Sequence, residues 1–432
     1  MNHMKIIRYL FSFLAIILMT QHGLIVAQEI VNFYKQGNEK MAAGDYSGAI
    51  EEYTKAINQD PKDAKAYNNR GVVKLALGDR NGALEDYEKA VILKPDYAEG
   101  YYNYGVLKSE LGDYSSAIVA YNKALECNSR FTDIYFRRGA AKGRVGDNNG
   151  ALADYTNAIQ VNPENIDAYN NRAIIKNILG DKEGAIADFL HVVNGYFKAG
   201  LAKAEKGDKK GAIADYTKVI MISPKNADAY TNRGNAKNDL GDREGAIADY
   251  SKAIELNPTH TLAYSNRGFV KVALGDKAGA LFDYTKAIEL NQASADLYFN
   301  RGIALAKFGE YQKAIADYTK AIKLNPKSEL AYLNRGNAKV MIDNRKSALD
   351  DYNKALSIDS KNADAYFNRG FVKANQKDKQ GAIADFSKAI ECNPNYAKAY
   401  YQRGIAKSEL GDEQGSIEDM KQAAKSGLGR SQ

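Results

Sequence analysis

All seven prolines of the chain stand at one phase of a single repeat. Pro61 and Pro95 lie 34 residues apart, Pro224 and Pro258 lie 34 apart, and three further intervals equal 68. The one exception, from Pro163 to Pro224, falls seven residues short of 68. A period of this length is typical of arrays in which one small unit is stacked many times. The 432 residues are therefore not expected to fold as two or three unrelated domains.

Two aromatic positions mark each repeat at fixed spacing. The first opens the repeat, a glycine follows four residues later, an alanine stands twelve residues after the glycine, and the second aromatic comes four residues after that. The exceptions are Ala173 for the glycine, Ser416 for the alanine and Met420 for the second aromatic. Positions i and i+4 share one face of a helix, so the pattern predicts two helices per repeat, A and B. The glycine of helix A and the alanine of helix B are expected to let the helices approach closely. The opening aromatics are Phe33, Tyr67, Tyr101, Tyr135, Tyr169, Tyr196, Tyr230, Tyr264, Tyr298, Tyr332, Tyr366 and Tyr400.

Glycine, aspartate and proline punctuate the predicted helices. Gly78-Asp79 and its equivalents separate helix A from helix B; glycine can end a helix in the left-handed conformation, and aspartate can cap the next one. Proline then ends helix B, and an Asp or Asn two residues later is expected to cap the following helix A, as at Asp63. Asp343 and Lys377 replace the turn glycine in two repeats.

This pattern of aromatic, Gly, Gly-Asp, Ala, aromatic and Pro resembles the tetratricopeptide-repeat (TPR) family, and it covers residues 30 to about 430. The resemblance implies an all-α fold, a right-handed α-solenoid of about twelve 34-residue helix-turn-helix units. In such a solenoid each repeat is stable only when it is stacked on its neighbours. The resemblance also implies a protein that binds other proteins.

The seven-residue phase slip falls between the fifth and sixth repeats. Repeats 1–5 are placed in residues 28–192 and repeats 6–12 in residues 193–432, and Gly195 is expected to form an abrupt bend between them. Seven residues correspond to about two helical turns. The alternative is a harmless deletion that shorter helices absorb.

The N-terminal residues 1–27 have the three-part plan of a secretory signal peptide. Lys5 and Arg8 precede the apolar run Tyr9–Met19, and cleavage is expected after Ala27. An uncleaved anchor is the alternative, and it is the one case in which membrane attachment is expected. Either reading places the repeats outside the cytoplasm, in the periplasm or secreted from a bacterial cell envelope.

Nine repeats carry an arginine just before the helix-A position of Gly71 and an aspartate sixteen residues after that arginine. We expect each pair to bridge helices A and B as a structural ion pair, without a role in ligand binding. The third repeat has Tyr104 and Ala120 instead, and the sixth keeps Asp215 but has Ala199. The nine arginines are Arg70, Arg138, Arg172, Arg233, Arg267, Arg301, Arg335, Arg369 and Arg403.

A column of asparagines stands two residues before the repeat glycine. It resembles the asparagine ladder in the TPR region of O-GlcNAc transferase, which grips peptide backbone, and the resemblance implies that helix A lines a concave groove. A side-chain amide can donate to a peptide C=O and accept from a peptide N–H. The alternative is that duplication copied a surface asparagine. The column comprises Asn69, Asn103, Asn171, Asn232, Asn266, Asn300, Asn334 and Asn368.

Aromatic residues at neighbouring positions of helix A extend this candidate groove. An exposed aromatic row suggests a recognition surface, although some members are expected to pack against adjacent helices instead. Aromatic rings beside amides would also suit sugars, so a glycan- or cell-wall-associated module is the alternative function. The candidate aromatics are Phe269, Phe299, Phe367, Phe371 and Tyr401.

No pattern in the chain indicates catalysis or a bound cofactor. After residue 27 the only histidines are His191 and His260, and neither has the spacing of a metal site. The recurrent Gly-Asp segments do not fit a phosphate-binding loop. Sixty basic and 53 acidic residues are interspersed, which gives no support for nucleic-acid binding. We therefore predict no catalytic residue, no metal and no cofactor, and a non-enzymatic scaffold for a protein or peptide partner.

Overall fold

The computed structural model describes residues 32–127 and 133–427, and every regular element within these ranges is an α-helix. The chain divides into two compact units, one ending at Gly195 and the other beginning at Tyr196. Within each unit, helix A and helix B alternate along the chain, so the predicted all-α repeat solenoid is confirmed. The predicted signal peptide, residues 1–27, lies outside the described residues.

The first unit contains repeats 1–5. Helix A and helix B of each repeat are antiparallel neighbours joined by a short turn. Its helices are α1 (32–42), α2 (Tyr46–Gln59), α3 (Ala64–Ala76), α4 (Arg80–Leu93), α5 (Ala98–Glu110), α6 (Tyr114–Cys127), α7 (Ile134–Arg144), α8 (Asn148–Val161), α9 (Ile166–Ile178) and the first part of α10 (Lys182–Glu205).

The second unit contains repeats 6–12 and begins within α10. Its further helices are α11 (Lys209–Ile222), α12 (Ala227–Asp239), α13 (Arg243–Leu256), α14 (Thr261–Leu274), α15 (Lys277–Leu290), α16 (Ala295–Lys307), α17 (Tyr311–Leu324), α18 (Glu329–Met341), α19 (Arg345–Ile358), α20 (Ala363–Asn375), α21 (Lys379–Cys392), α22 (Ala397–Ser408) and α23 (Glu413–Lys425).

The predicted caps begin and end these helices. The Asp79 carboxylate accepts a hydrogen bond from the Gly82 amide at 2.9 Å at the start of α4. The Asn226 side chain accepts one from the Ala229 amide at 2.9 Å at the start of α12. Gly78 has φ of 87°, as a left-handed turn residue should. Asp343 and Lys377 keep this conformation without glycine, at φ of 63° and 70°.

In most repeats, the core is a tyrosine or phenylalanine of helix B that sits against the glycine of helix A; repeat 5 has Ala173 in place of this glycine, and repeat 12 has Met420 in place of the aromatic. Tyr87 is 2 % exposed, and a Cβ added to Gly71 would lie 2.8 Å from its Cε1 atom. The close approach was predicted, but the residue that faces the glycine most closely is this aromatic ring rather than the helix-B alanine. Ala83 is fully buried beside it. The glycine therefore leaves room for the ring at this close approach.

Gly195, at the phase slip, lies inside a helix rather than at a break between two helices. Helix α10 is continuous from Lys182 to Glu205, so helix B of repeat 5 and helix A of repeat 6 form one helix. The predicted bend is wrong, and the missing residues are those of the inter-repeat turn. A Cβ at Gly195 would lie 2.7 Å from Ile166 Cδ1, so the glycine makes room for a neighbouring helix. The assignment of residues 28–192 and 193–432 to the two sets of repeats stays a prediction.

Candidate peptide-binding groove

The nine predicted arginine–aspartate pairs are present, and each is a two-pronged hydrogen bond. Arg70 Nε donates to Asp86 Oδ2 at 2.9 Å, and its Nη2 donates to Oδ1 at 2.7 Å. The third prong, Nη1, donates to Thr54 Oγ1 at 3.1 Å, on helix B of the preceding repeat. The confirmed aspartates are Asp86, Asp154, Asp188, Asp249, Asp283, Asp317, Asp351, Asp385 and Asp419.

A lysine completes this cluster, and sequence reasoning missed it. Lys74 Nζ lies 2.8 Å from Asp86 Oδ2, and eight of the nine arginine-containing repeats have such a lysine. The signal was available, because lysine recurs three residues after the repeat glycine. Hydrogen bonding to Asp86 raises the pKa of Arg70. The aspartates are almost wholly buried, so these clusters hold adjacent helices together and are not open to a ligand.

Repeat 6 has only half of the cluster. Ala199 stands where the arginine would be, and Lys203 Nζ lies 2.7 Å from Asp215 Oδ2. Among the described residues, Lys203 is the only cation within ion-pairing distance of Asp215, which is 4 % exposed. Its side chain is 42 % exposed, whereas the equivalent Lys237 is 22 % exposed. In the part of the chain that the structure describes, the partly exposed ammonium group of Lys203 alone therefore balances the negative charge of the buried Asp215 carboxylate.

Three members of the asparagine column are fixed by a short hydrogen-bond relay. The Nδ2 atoms of Asn69, Asn266 and Asn368 donate to an asparagine of the preceding repeat, at 3.0, 2.8 and 2.9 Å. Each acceptor also receives a hydrogen bond from the buried tyrosine of its own helix B. The acceptor asparagines are Asn38, Asn235 and Asn337, and the tyrosines are Tyr53, Tyr250 and Tyr352.

The other column members have different surroundings. Asn103 donates to Asn68 Oδ1 at 2.9 Å, and Asn334 donates to the Leu330 carbonyl at 2.9 Å. Asn171, Asn232 and Asn300 are half-buried on helix A. The column is therefore a set of distinct amides rather than one uniform ladder.

The candidate aromatics fall into two groups. Phe269, Phe371 and Tyr401 are exposed, at 61 %, 41 % and 39 %. Phe299 and Phe367 are half-buried, with ring centroids 5.8 and 5.7 Å from the core rings of Tyr318 and Phe386. Phe299 and Phe367 therefore pack against helix B, as we expected for some of the candidate aromatics.

Of the candidate aromatics, only Phe371 lines a cavity of about 240 Å³ in repeats 9–11, where it meets two members of the asparagine column. Asn334, Asn337 and Asn368 supply its amides, and exposed Phe371 and Met341 supply apolar walls. The sequence did not single out Asn337 or Met341. The further lining residues are Ala306, Tyr311, Tyr318, Ala338, Val340, Tyr352 and Val372.

A second cavity of about 290 Å³ lies in repeats 6 and 7. Asn232 and Asn235 line it together with charged Glu205, Lys209 and Asp239. It is more polar in its lining residues than the first cavity. The apolar cavity in repeats 9–11 is thus the better seat for an uncharged side chain.

Two further findings concern residues 32–127 and 133–427. No helix there has the length and apolar content to span a bilayer. No three His, Cys, Asp or Glu side chains in these ranges are grouped so that they could hold a metal ion.

Models of the tetratricopeptide repeat match residues 64–97, 227–260, 295–328 and 363–396, and a TPR repeat model matches residues 37–78, 200–241 and 346–377. Two further tetratricopeptide-repeat models match residues 98–130, 262–294 and 386–418. Together these ranges cover more than half of the chain. The chain belongs to the tetratricopeptide-repeat family. No curated protein matches the chain at a significant level of sequence similarity.

Several solved structures are similar to this TPR protein. The MamA protein is 32 % identical, over 40 % of this chain and 93 % of its own, with a TM-score of 0.37. YrrB, described as a TPR protein with an unusual peptide-binding site, is 27 % identical over 43 % of this chain and 95 % of its own, with a TM-score of 0.38. Yeast Tom70 is 18 % identical over 91 % of this chain and 99 % of its own, with a TM-score of 0.41.

Proposed function

We propose that this TPR protein is a non-enzymatic scaffold that binds an extended segment of a partner protein along helix A of repeats 9–11. The observation that carries the proposal is the cavity of about 240 Å³ in which amides and exposed apolar side chains converge. An apolar pocket with a few placed polar groups is the usual form of a binding site. Family membership supports a protein partner.

The chemistry of the two kinds of lining residue suggests how such a segment would bind. An extended peptide presents one C=O and one N–H per residue, and Asn334 and Asn368 can pair with either group. A partner side chain would enter between Met341 and Phe371, which are 59 % and 41 % exposed. Full burial of an aliphatic side chain stabilises a complex by about 1.5–3 kcal/mol. That energy corresponds to about 10- to 150-fold in affinity.

Paired variants test this site. Met341→Ser with Phe371→Ser removes the apolar walls, and because both side chains are exposed, the fold is expected to persist. Met221→Ser with Phe282→Ser is the matched control, since these residues are 76 % and 56 % exposed and line neither cavity of the second unit. Affinity capture from bacterial envelope extracts, read by quantitative mass spectrometry, should lose specific partners only with the first variant. Equal capture by both variants would refute the proposal.

We also propose that the repeats act outside the cytoplasm, after removal of residues 1–27. Lys5, Arg8 and the following apolar run support this proposal. Mass spectrometry of the protein purified from its native host should find a mature N-terminus at Gln28. A retained Met1 in a soluble cytoplasmic fraction would contradict it.

A further inference from the structure

Repeat 3 departs from the arginine cluster at three positions together. Tyr104 replaces the arginine, and Ala120 replaces the buried aspartate. The preceding helix B has Glu88 where repeats with the arginine have Thr, Ser or Asn at the equivalent position. The three changes form a compatible set, because Tyr104 Oη donates to Glu88 Oε1 at 2.9 Å. Repeat 3 therefore has an alternative cluster in place of the arginine fork.

In repeat 3, the lysine of the cluster, Lys108, lies near Glu88 instead of near a buried aspartate. Lys108 Nζ lies 3.9 Å from Glu88 Oε1 and 3.5 Å from Asp113 Oδ2, and it sits 5.4 Å from the centroid of the Tyr104 ring. In eight other repeats the lysine and the arginine share one aspartate, which leaves an excess of positive charge. In repeat 3, one lysine faces acidic groups and the arginine is absent. The local charge is not positive.

These replacements accompany a cavity of about 330 Å³ on repeat 3. Its lining residues are Tyr101, Tyr104, Ser115, Ser116, Val119 and Ala120. In the nine repeats with the fork, the guanidinium lies 5.3–5.9 Å from the ring centroid of the opening tyrosine. Repeat 3 has no arginine to cover Tyr101 in this way. Val119, which is 62 % exposed, stands at the mouth of the cavity.

We propose that this cavity is a second binding site, separate from the groove, and that it takes a short segment of an uncharged oligosaccharide. Tyrosine rings offer flat apolar faces to the C–H face of an equatorially substituted sugar. The exposed Ser115 hydroxyl, which lines the cavity, can donate to or accept from sugar hydroxyls. The volume lies at the lower end of the range of ~300–1,000 Å³ for ligand pockets. A sugar unit or two fits that size.

The charges around the cavity favour an uncharged sugar over a cationic or an anionic ligand. A guanidinium or ammonium group would lie beside Lys108 and would lack the buried aspartate that holds the arginine in the other repeats. An anionic ligand would approach Glu88, whose side chain is 47 % exposed. A neutral ligand rich in hydroxyl groups meets neither repulsion. A peptide aromatic side chain is the competing occupant that the experiment must separate.

The chain supplies its own control variant for this site. Tyr104→Arg with Ala120→Asp installs the fork found in nine other repeats, so the double variant is expected to fold and to fill the cavity. Phe269→Ala removes an exposed aromatic of the other unit and should leave the site intact. Saturation-transfer difference NMR on the full chain would use cellobiose and N,N′-diacetylchitobiose as probes, with an N-acetyl-phenylalanine amide for the competing class.

We expect saturable transfer to the ring protons of at least one disaccharide, with the wild type and with Phe269→Ala. The double variant should weaken it by at least about threefold, the equivalent of one lost aromatic contact. Binding that persists in the double variant would overturn the assignment. So would preferential binding of the phenylalanine amide, or no detectable binding of either disaccharide.

Discussion

Lys203 neutralises a buried carboxylate alone, and its removal should be unusually costly. Lys203→Met leaves Asp215, which is 4 % exposed, without a cation. Losing the one cation of this pair leaves the buried carboxylate uncompensated, which destabilises the fold more than losing one of two cations does. In the equivalent Lys237→Met variant, Asp249 keeps the fork from Arg233 at 2.7 and 2.9 Å. That variant should lose about 1 kcal/mol.

Hydrogen exchange read by mass spectrometry measures this difference locally. Peptides of α13 should lose about fivefold of their protection in Lys237→Met, and peptides of α11 should lose clearly more than that in Lys203→Met. Adding Asp215→Asn to the Lys203→Met chain removes the uncompensated charge and should restore most of the protection. Equal losses in the two lysine variants, or no rescue by Asp215→Asn, would refute the reasoning.

Three further predictions concern acid stability, turn strain and packing. Burial raises the pKa of Asp188, but hydrogen bonds from Arg172 and Lys176 lower it further, so it ends below its usual value. The Asp188 ion pair therefore stabilises the fold above the unfolded pKa of about 3.9, and this stabilisation is lost as the pH falls below that value. The melting temperature should decline below about pH 5. An unchanged melting temperature down to pH 3 would contradict this prediction. Lys377→Gly relieves a left-handed residue at φ of 70° and should add about 1 kcal/mol in denaturant titration, whereas a loss would show that the lysine is not strained. Gly302→Ala places a Cβ 2.7 Å from Tyr318 Cε1 and should cost ~1–3 kcal/mol, while the control Gly143→Ala, with its nearest atom at 3.8 Å, should be neutral or stabilising; similar effects would contradict the packing role.

Features that recur in most repeats could be predicted from the sequence. The caps, the A and B helices and the arginine–aspartate pairs each recur at one spacing, so a contact inferred in one repeat is tested by all the others. Arg70 and Asp86 lie sixteen residues apart, and no single helix would bring them together. The antiparallel pairing of helix A with helix B brings the two residues together, and the repeat pattern predicts that pairing.

Features that occur in only one repeat could not be predicted from the sequence in the same way, because no other repeat tests them. Gly195 suggested a bend, but one glycine costs a helix only about 1 kcal/mol, and no proline interrupts residues 182–205. Packing of Ile166 against Gly195 then favours the continuous helix. Asn337 and Met341 became candidate site residues only because side chains from three repeats enclose one cavity. Such a cavity depends on local side-chain packing that the period does not specify.

Site-specific photo-crosslinking tests most directly whether repeats 9–11 bind a partner segment. A photoreactive amino acid at position 341 replaces Met341 in the candidate cavity, and one at position 221 replaces the exposed Met221 outside it. Position 341 should crosslink to one short linear segment of a partner protein in envelope extracts, with an apolar side chain at the crosslinked site, and position 221 should not. Equivalent crosslinks from both positions, or none from position 341, would contradict the proposed groove.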